Sequence, residues 1–211
     1  MSTAREEILG RIRDALADAP VAPEVPREYR RAGTLDEAGR VEQLVDRLED
    51  YKAGVQVVTA DRVPAAISAH LRGAESFVTP EGLGAEWLGE LEQDERRRVD
   101  KPGQRLSVTE LDATSAVVTA SKVTVSESGT IILDASPDQG RRAITLVPDH
   151  HVCIVPASTV VQLLPEAMER LDITHPLTWI SGPSATSDIE LERVEGVHGP
   201  RTLDVLIVSD R

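Results

Sequence analysis

Apolar residues recur at helical spacing within the first part of the chain. Ile8, Ile12 and Leu16 fall on one face of a helix. Thr3 and Glu6 have the form of a capping box, in which a hydroxyl and a carboxylate satisfy exposed helix N–H groups. The pattern predicts an amphipathic N-terminal helix whose apolar face docks on another surface.

A proline-rich segment follows this helix. Residues 20–26 contain three prolines, which cannot continue a helix and favour an extended linker. We therefore divide the chain into an N-terminal helix with its linker, residues 1–26, and a single α/β domain, residues 27–211. The sequence leaves open whether the helix docks on that domain or on a partner.

Helix and strand patterns alternate after the linker. They predict, in order, helix 35–53, strand 55–59, a helix with Pro64 in its first turn, strand 76–79 and helix 85–91. Two strand–helix units in succession imply a parallel sheet with right-handed crossovers.

The second half of the chain adds a hairpin and further strands. The predicted elements are a solvated surface segment at 92–101 and a hairpin of strands 123–125 and 130–133 around the turn 126–129. Strands 144–147 and 152–155 follow. A helix 158–171 is then predicted to begin at Ser158 and to bury Val161, Leu164 and Met168. Together the patterns predict an α/β fold with an open, mostly parallel sheet flanked by helices.

Charge and aromatic content restrict the classes of partner. The formal net charge is −13 at pH 7, and aromatic residues make up 2% of the chain. Such an acidic chain is repelled by nucleic-acid backbones and anionic membranes, and it lacks the aromatic platforms on which single strands stack. We expect no nucleic-acid partner.

The chain contains one cysteine, Cys153, within an apolar segment. We expect a small buried hydrophobe there, and one cysteine cannot hold an iron–sulfur cluster alone. No Cys/His set has the spacing of a zinc site, so we predict no metal and no cofactor bound by this chain.

No apolar run is long enough to span a bilayer, and the charged N-terminus lacks a signal-peptide core; both features predict a cytoplasmic protein.

The most informative stretch lies near the C-terminus. An apolar run at 178–180 ends in a loop of small residues whose backbone N–H groups and hydroxyls can bind a carboxylate or phosphate. The loop contains Ser181, Gly182, Ser184, Thr186 and Ser187. Its position after a strand predicts a ligand site at the carboxyl ends of the sheet strands. An ordinary connection in which Ser187 or Asp188 caps the next element explains the same residues.

Asp188, Glu190 and His198 are the candidate proton-transferring groups. The carboxylates can act as a general base, bind a cation or orient His198, and histidine is the side chain type best suited to proton transfer near neutral pH. Gly196 and Gly199 flank the histidine and let other groups approach closely. Capping or solvated carboxylates and a satisfied turn histidine are the alternatives.

Other charged residues precede the later strands. Arg141 and Arg142 are the best local candidates for holding an anion, because a guanidinium pairs with it through two hydrogen bonds. Glu127, at the turn of the predicted hairpin, lines a pocket or adds surface charge. His150 and His151 begin a strand, so they point to opposite faces and do not form a two-histidine metal site.

Residues 181–190 and 196–200 together resemble the signature of the lactate-utilisation protein C family, the LUD domain. The turn that contains Glu127, Gly129 and Thr130 resembles the Glu-Thr-Gly-Thr turn of that family. The segment 148–151 resembles its Pro-x-x-His turn. The resemblance runs from about residue 35 to the C-terminus and is weakest through residues 81–105. It completes the set of candidate ligand-binding residues, which is Ser181, Gly182, Ser184, Thr186, Glu127, Gly129, Thr130, Arg142, His151 and Gly199.

One position departs from the family. Ala185 stands where the family commonly has arginine, so an anion contact from that side chain is lost here. Arg142 and Arg201 are the candidates to replace it.

The resemblance implies an α/β fold like that of the ribose-5-phosphate isomerase, glucosamine-6-phosphate deaminase and CoA-transferase group. It also implies a role in oxidising L-lactate to pyruvate with partner proteins that carry iron–sulfur clusters. We therefore expect an accessory subunit of an L-lactate oxidation system that binds a small anion. Two alternatives stay open: a free-standing enzyme for a phosphorylated or CoA-linked small acid, and a non-catalytic assembly scaffold. The sequence leaves a homo-oligomer open too.

Overall fold

The computed structural model describes residues 3–18, 23–186, 194–195 and 198–211. The chain divides into two compact units, Met1–Arg30 and Arg31–Arg211. The first unit contains one helix, α1 (Ala4–Ala15), and none of its side chains is buried. The predicted capping box is confirmed: Glu6 N donates to Thr3 Oγ1, and Thr3 N donates to Glu6 Oε2.

The second unit contains the other α-helices and all the strands of the described residues. The helices are α2 (Glu37–Asp50), α3 (Val63–His70), α4 (Ala85–Leu88), α5 (Val108–Asp112) and α6 (Leu164–Met168). The strands are β1 (Gly54–Val58), β2 (Phe77–Pro80), β3 (Arg97–Asp100), β4 (Ala116–Ala120), β5 (Val123–Val125), β6 (Thr130–Leu133), β7 (His150–Pro156), β8 (Val160–Val161), β9 (Thr178–Ile180), β10 (Ala185–Thr186), β11 (Val194–Glu195) and β12 (Thr202–Val208).

The central layer is a six-stranded sheet in the order β1-β12-β7-β4-β2-β3. Every neighbouring pair in it is parallel, so the predicted α/β fold with a parallel sheet flanked by helices is confirmed. A smaller four-stranded sheet has the order β8-β5-β6-β9, and β10 pairs with β11. The predicted hairpin is present as the antiparallel pair β5 and β6.

The core lies on both faces of the central sheet. On one face, Phe77, Ile154 and Leu206 pack with side chains of α3 and α4. On the other face, Cys153 and Val205 pack against α2 and the inner face of the four-stranded sheet. The outer face of that smaller sheet packs against α6. Burial of aliphatic side chains on both faces accounts for the nearly continuous apolar runs of β4, β7 and β12.

The prediction of a surface segment at 92–101 is wrong for its second half, which forms β3. This strand is the edge of the central sheet, where β2 is its one neighbour among the described strands. Charged side chains are common on edge strands because they discourage pairing with another chain. The side chain of Arg97, for example, donates to Thr79 Oγ1 over 2.9 Å.

The prediction of a helix at 158–171 is also wrong for its first half. Pro165 has no N–H and cannot occupy a helix interior, and it lies in the first turn of α6 instead. The residues before it form β8, which pairs in parallel with β5. Leu164 and Met168, predicted to be buried, are exposed, and Ala167 is the buried residue of α6.

The strand predicted at 144–147 is a short 3-10 helix, Arg142–Thr145. Ile144 is buried in it, which explains the apolar pattern. Periodicity alone cannot separate a short buried helix from a buried strand.

Among the residues described, no helix combines the length and apolarity that a bilayer crossing requires.

Candidate functional site

The two C-terminal turns of the chain meet at one cavity, which we call the amino-edge cavity. It has a volume of about 340 Å³. Its lining consists of residues 178–184 and 198–200 together with Arg142, Thr145, Leu146, His151 and Leu203. The turn around Gly182 and the turn around His198 therefore converge on one cavity.

Backbone and hydroxyl groups join the two turns directly. Ser184 N donates to the carbonyl oxygen of Pro200 over 2.8 Å. His198 N donates to Ser184 Oγ over 2.9 Å. The Ser181 hydroxyl lies 2.9 Å from the hydroxyl of Thr130 on β6. These bonds fix the serine-rich turn between the four-stranded sheet and the start of β12.

The cavity lies at the opposite edge of the central sheet from the one predicted. His151 is the second residue of β7 and Leu203 the second residue of β12, so the cavity adjoins the amino ends of these parallel strands. The prediction assumed that the strand before Ser181 belongs to the parallel sheet. That strand, β9, belongs to the four-stranded sheet and pairs antiparallel to β6. The loop after β9 consequently reaches the amino edge.

Arg142 is the cationic side chain of the cavity lining that is free to bind a ligand. The short 3-10 helix before β7 positions it. Its guanidinium forms no ion pair or hydrogen bond with any residue that the structure describes. Arg201, the other candidate to replace the missing family arginine, is held by Asp149 through contacts of 2.7 Å at Nε and at one terminal nitrogen. That pair ties the segment before β7 to the segment before β12.

His151 forms the floor of the cavity and is neutral. Its Nε2 lies 2.8 Å from the hydroxyl of Thr119 on β4, and the residue is 1% exposed. Burial, with a smaller contribution from the charge of His150, lowers the pKa of His151 to about 3. An uncharged imidazole offers the cavity a hydrogen-bonding group without a positive charge.

Gly182 is required by the path of the serine-rich turn. Its φ is +81°, a region that side chains disfavour, and a Cβ there would lie 2.5 Å from Cβ of Tyr51 at the end of α2. Gly129, in the β5–β6 turn, has φ +61° and also lies against Tyr51. The two turns therefore pack on the same aromatic side chain.

The remaining predicted site residues have different placements. Glu127 and Gly129 lie in the β5–β6 turn and do not line the cavity, and Thr130 reaches it only through Ser181. Thr186 belongs to β10, and its side chain is outside the described part. Ser187, Asp188 and Glu190 also lie outside the described residues.

Sequence reasoning missed several lining residues. Thr145 and Leu146 were assigned to a strand, and Trp179 was read as part of an apolar run. Trp179 is 44% exposed although it lies in a strand. The signal that could have identified it is its position two residues before Ser181 in a chain with only two tryptophans.

The other face of the central sheet carries a second polar cluster, formed by His70, His150 and Asp204. Oδ2 of Asp204 lies 2.7 Å from Nε2 of His150 and 3.0 Å from Nδ1 of His70. Burial opposes ionisation of Asp204, but hydrogen bonds from the two histidines hold its pKa well below the usual range. The hydrogen bond with Asp204 raises the pKa of His70. His150 and His151 thus point to opposite faces, as predicted.

Cys153 lies on β7 and is fully buried. Its position confirms the prediction of a small buried hydrophobe, and burial raises the pKa of its thiol to about 12. Within the described ranges, no group of three or more His, Cys, Asp or Glu side chains is arranged to hold a metal ion.

Comparison with known proteins identifies a family match over most of the chain. The LUD domain profile matches residues 41–208. Lactate utilization protein C of Deinococcus radiodurans is 44% identical over 210 residues, which covers 98% of this chain and 96% of that protein. The protein of the same name from Macrococcus caseolyticus is 30% identical over 178 residues, covering 81% of this chain and 68% of that protein.

A solved structure has the same fold. It is the crystal structure of a DUF162 family protein from Deinococcus radiodurans, with a TM-score of 0.70 and 37% sequence identity. The match covers 83% of this chain and 100% of the solved chain.

Proposed function

The chain belongs to the LUD domain family, and on that premise we propose that it is a component of an L-lactate utilisation system that binds a small organic anion in the amino-edge cavity. Relatives named lactate utilization protein C support the biological role. The observation that carries the binding proposal is the guanidinium of Arg142, which pairs with no described residue and lies in the lining of a cavity built from hydroxyl-bearing turns.

The dimensions and chemistry of the cavity suit a short hydroxy or keto acid. A volume of about 340 Å³ lies at the small end of the range of ligand pockets, roughly 300 to 1,000 Å³. A guanidinium pairs with a carboxylate through two parallel hydrogen bonds. The neutral imidazole of His151 and the hydroxyls of Ser181 and Ser184 are then available to the hydroxyl or carbonyl oxygen next to the carboxylate.

We propose that the redox step depends on partner proteins. Oxidation of lactate to pyruvate removes electrons and protons, so an electron acceptor is required. The chain has a single cysteine, which cannot hold an iron–sulfur cluster alone, and that thiol is buried. Iron–sulfur clusters on partner proteins are the acceptors that we propose, with this chain binding and positioning the acid.

Growth on L-lactate as sole carbon source tests the biological role. A strain that lacks the gene is expected not to grow on L-lactate and to grow normally on glucose. The wild-type gene and an Arg72→Met gene are expected to restore growth, because Arg72 is exposed and lies outside the cavity lining. An Arg142→Met gene is expected to restore it poorly. Unimpaired growth of the deletion strain would overturn the proposed role.

Binding of L-lactate and pyruvate to the purified full chain tests the site. Backbone amide signals of Gly182 and Gly199 are expected to shift during a titration followed by NMR, because both residues line the cavity. Arg142→Met is expected to weaken binding by roughly tenfold or more, and Arg142→Lys by less, since lysine keeps the charge without the planar fork. Equal affinity of wild type and Arg142→Met would contradict the proposed site.

A further inference from the structure

A second cavity, which we call the carboxyl-edge cavity, lies at the other edge of the central sheet. It has a volume of about 500 Å³ and is lined by the ends of β2 and β3, by the segments that follow them, and by residues 135–137, 140 and 141. The chain runs from β2 outward to β3 and then returns to β4 on the other side of β2. This reversal makes a crevice at the carboxyl ends of the strands, which is where open α/β sheets bind ligands.

The walls of this cavity are locked together by specific contacts. Gly82 N donates to the carbonyl oxygen of Pro137 over 3.1 Å, and a Cβ on Gly82 would lie 2.5 Å from Cβ of Pro137. Arg141 binds Asp100 through two hydrogen bonds of 2.9 and 2.8 Å. The three segments are therefore held in one arrangement, and a preformed cavity loses little conformational entropy when a ligand binds.

One residue of the wall has an unusual backbone conformation. Ala135 lines the cavity and has φ +58°, a region that non-glycine residues rarely adopt. Such conformations persist where the surrounding structure enforces them, and they concentrate at ligand sites.

The charges of the lining favour an anion, because three cationic side chains face two carboxylates there: Lys101, Arg105 and Arg141 against Glu81 and Asp100. Burial opposes ionisation of Asp100, but hydrogen bonds from Arg141 and Leu106 and the charge of Arg105 keep its pKa below the usual range. Asp100 is therefore ionised and engaged by Arg141. Lys101 and Arg105 also line the cavity and form no ion pair with any described residue. Two such cations on one cavity are notable in a chain with a net charge of −13.

We propose that the carboxyl-edge cavity is a second binding site, separate from the amino-edge cavity, for a small organic anion held by Lys101 and Arg105. The anionic group is a carboxylate or a phosphate, both of which pair with these side chains. The carboxylate of Glu81, on the same lining, accepts a hydrogen bond from a hydroxyl of the ligand. Pro80, Pro102 and Pro137 provide an apolar wall for its carbon skeleton.

The test uses 3-phosphoglycerate, which carries a carboxylate, a hydroxyl and a phosphate, and inorganic phosphate as separate probes. Each is titrated into the full chain while backbone amide signals are followed by NMR. We expect saturable shifts at Gly82 and Gly140, with 3-phosphoglycerate binding more tightly than inorganic phosphate because of its carbon skeleton and hydroxyl. Shifts at Gly182 and Gly199 report the amino-edge cavity, so the two proposals succeed or fail independently.

Matched variants separate a specific site from general attraction to positive charge. Lys101→Met combined with Arg105→Met is expected to weaken binding of 3-phosphoglycerate by roughly tenfold or more. Arg62→Met combined with Arg72→Met removes the same charge from the exposed ends of α3 and is expected to leave the affinity unchanged. Absence of saturable shifts at Gly82 and Gly140, or equal weakening by both double variants, would overturn the proposal.

Discussion

His151 shows how burial fixes the charge of a single side chain. Its folded pKa of about 3 lies below the value of roughly 6.5 for an exposed histidine. Between these values the unfolded chain binds a proton that the folded chain does not. Stability contributed by this residue is therefore complete above about pH 6.5 and falls as the pH decreases.

This reasoning predicts the effect of His151→Gln, which has no titrating group. The free energy of unfolding of the wild type is expected to fall by about 2 kcal/mol more than that of the variant between pH 6.5 and pH 5, at about 1.4 kcal/mol per pH unit. Urea unfolding at the two pH values measures the difference. His175→Gln is the matched control, because it makes the same substitution at a side chain that is 54% exposed. A slope for His151→Gln equal to that of the wild type would contradict the prediction.

Asp204 illustrates the opposite case, in which a buried charge is stabilised by its partners. The raised pKa of His70 means that its contribution to stability is present below about pH 6.5 and is lost as the pH rises through the folded value. The lowered pKa of Asp204 keeps the carboxylate ionised throughout that range.

Asp204→Asn should therefore destabilise the chain more at pH 6 than at pH 8.5, since an amide cannot neutralise a protonated imidazole. At pH 6 the expected loss of unfolding free energy is about 2 kcal/mol. Thermal or urea unfolding at both values measures this. Asp172→Asn is the matched control, because Asp172 lies 3.9 Å from the exposed His175 and surface pairs of this kind contribute little. A cost for Asp204→Asn that does not change with pH would contradict the raised pKa of His70.

At the scale of elements, the turns that build the amino-edge cavity depend on one glycine conformation. Gly182→Ala places a Cβ against Tyr51 at φ +81°, and we expect a loss of about 1 to 3 kcal/mol in unfolding free energy. Gly73→Ala is the control, since nothing lies within 4 Å of its Cβ position, and its effect should stay within about 0.5 kcal/mol. Equal effects of the two substitutions would mean that the turn relaxes freely.

Helices and strands were predictable where the periodicity of apolar residues agreed with the residues that begin or end an element. The helix predicted at 35–53 is α2, and the strand predicted at 55–59 is β1 within one residue. The fully buried β4 was missed, because Ala116–Ala120 has no alternation of apolar and polar positions. β3 was missed because its charges reflect its place at the sheet edge, which only the tertiary structure determines.

The site was predictable in part of its residues and not in its location. The serine-rich turn and the turn at residues 198–200 meet because β9 and β12 bring them together. Which sheet contains β9 depends on its pairing with β6, and pairing between distant strands has no local signal in the sequence. The edge of the sheet at which the cavity opens therefore could not be inferred from local patterns.

At the scale of the whole molecule, the core of the second unit is expected to be sufficient for folding. The family profile begins at residue 41, and α1 contributes no buried side chain. A chain that begins at residue 31 should unfold in one transition, with a midpoint within about 2 °C of that of the full chain, since a change of 1 kcal/mol shifts a domain of this size by roughly 2 to 4 °C. Calorimetry of both chains measures this, and a markedly lower midpoint would contradict the prediction.

The lone thiol of Cys153 has a practical consequence. A buried sulfur with a pKa of about 12 is inert toward alkylating reagents, because the thiolate is the reactive form. Modification by such a reagent requires the central strand to open, so the labelling rate of the unmodified native chain reports how often its sheet comes apart. The rate at which Cys153 is alkylated therefore measures global unfolding, with no engineered dye or added cysteine.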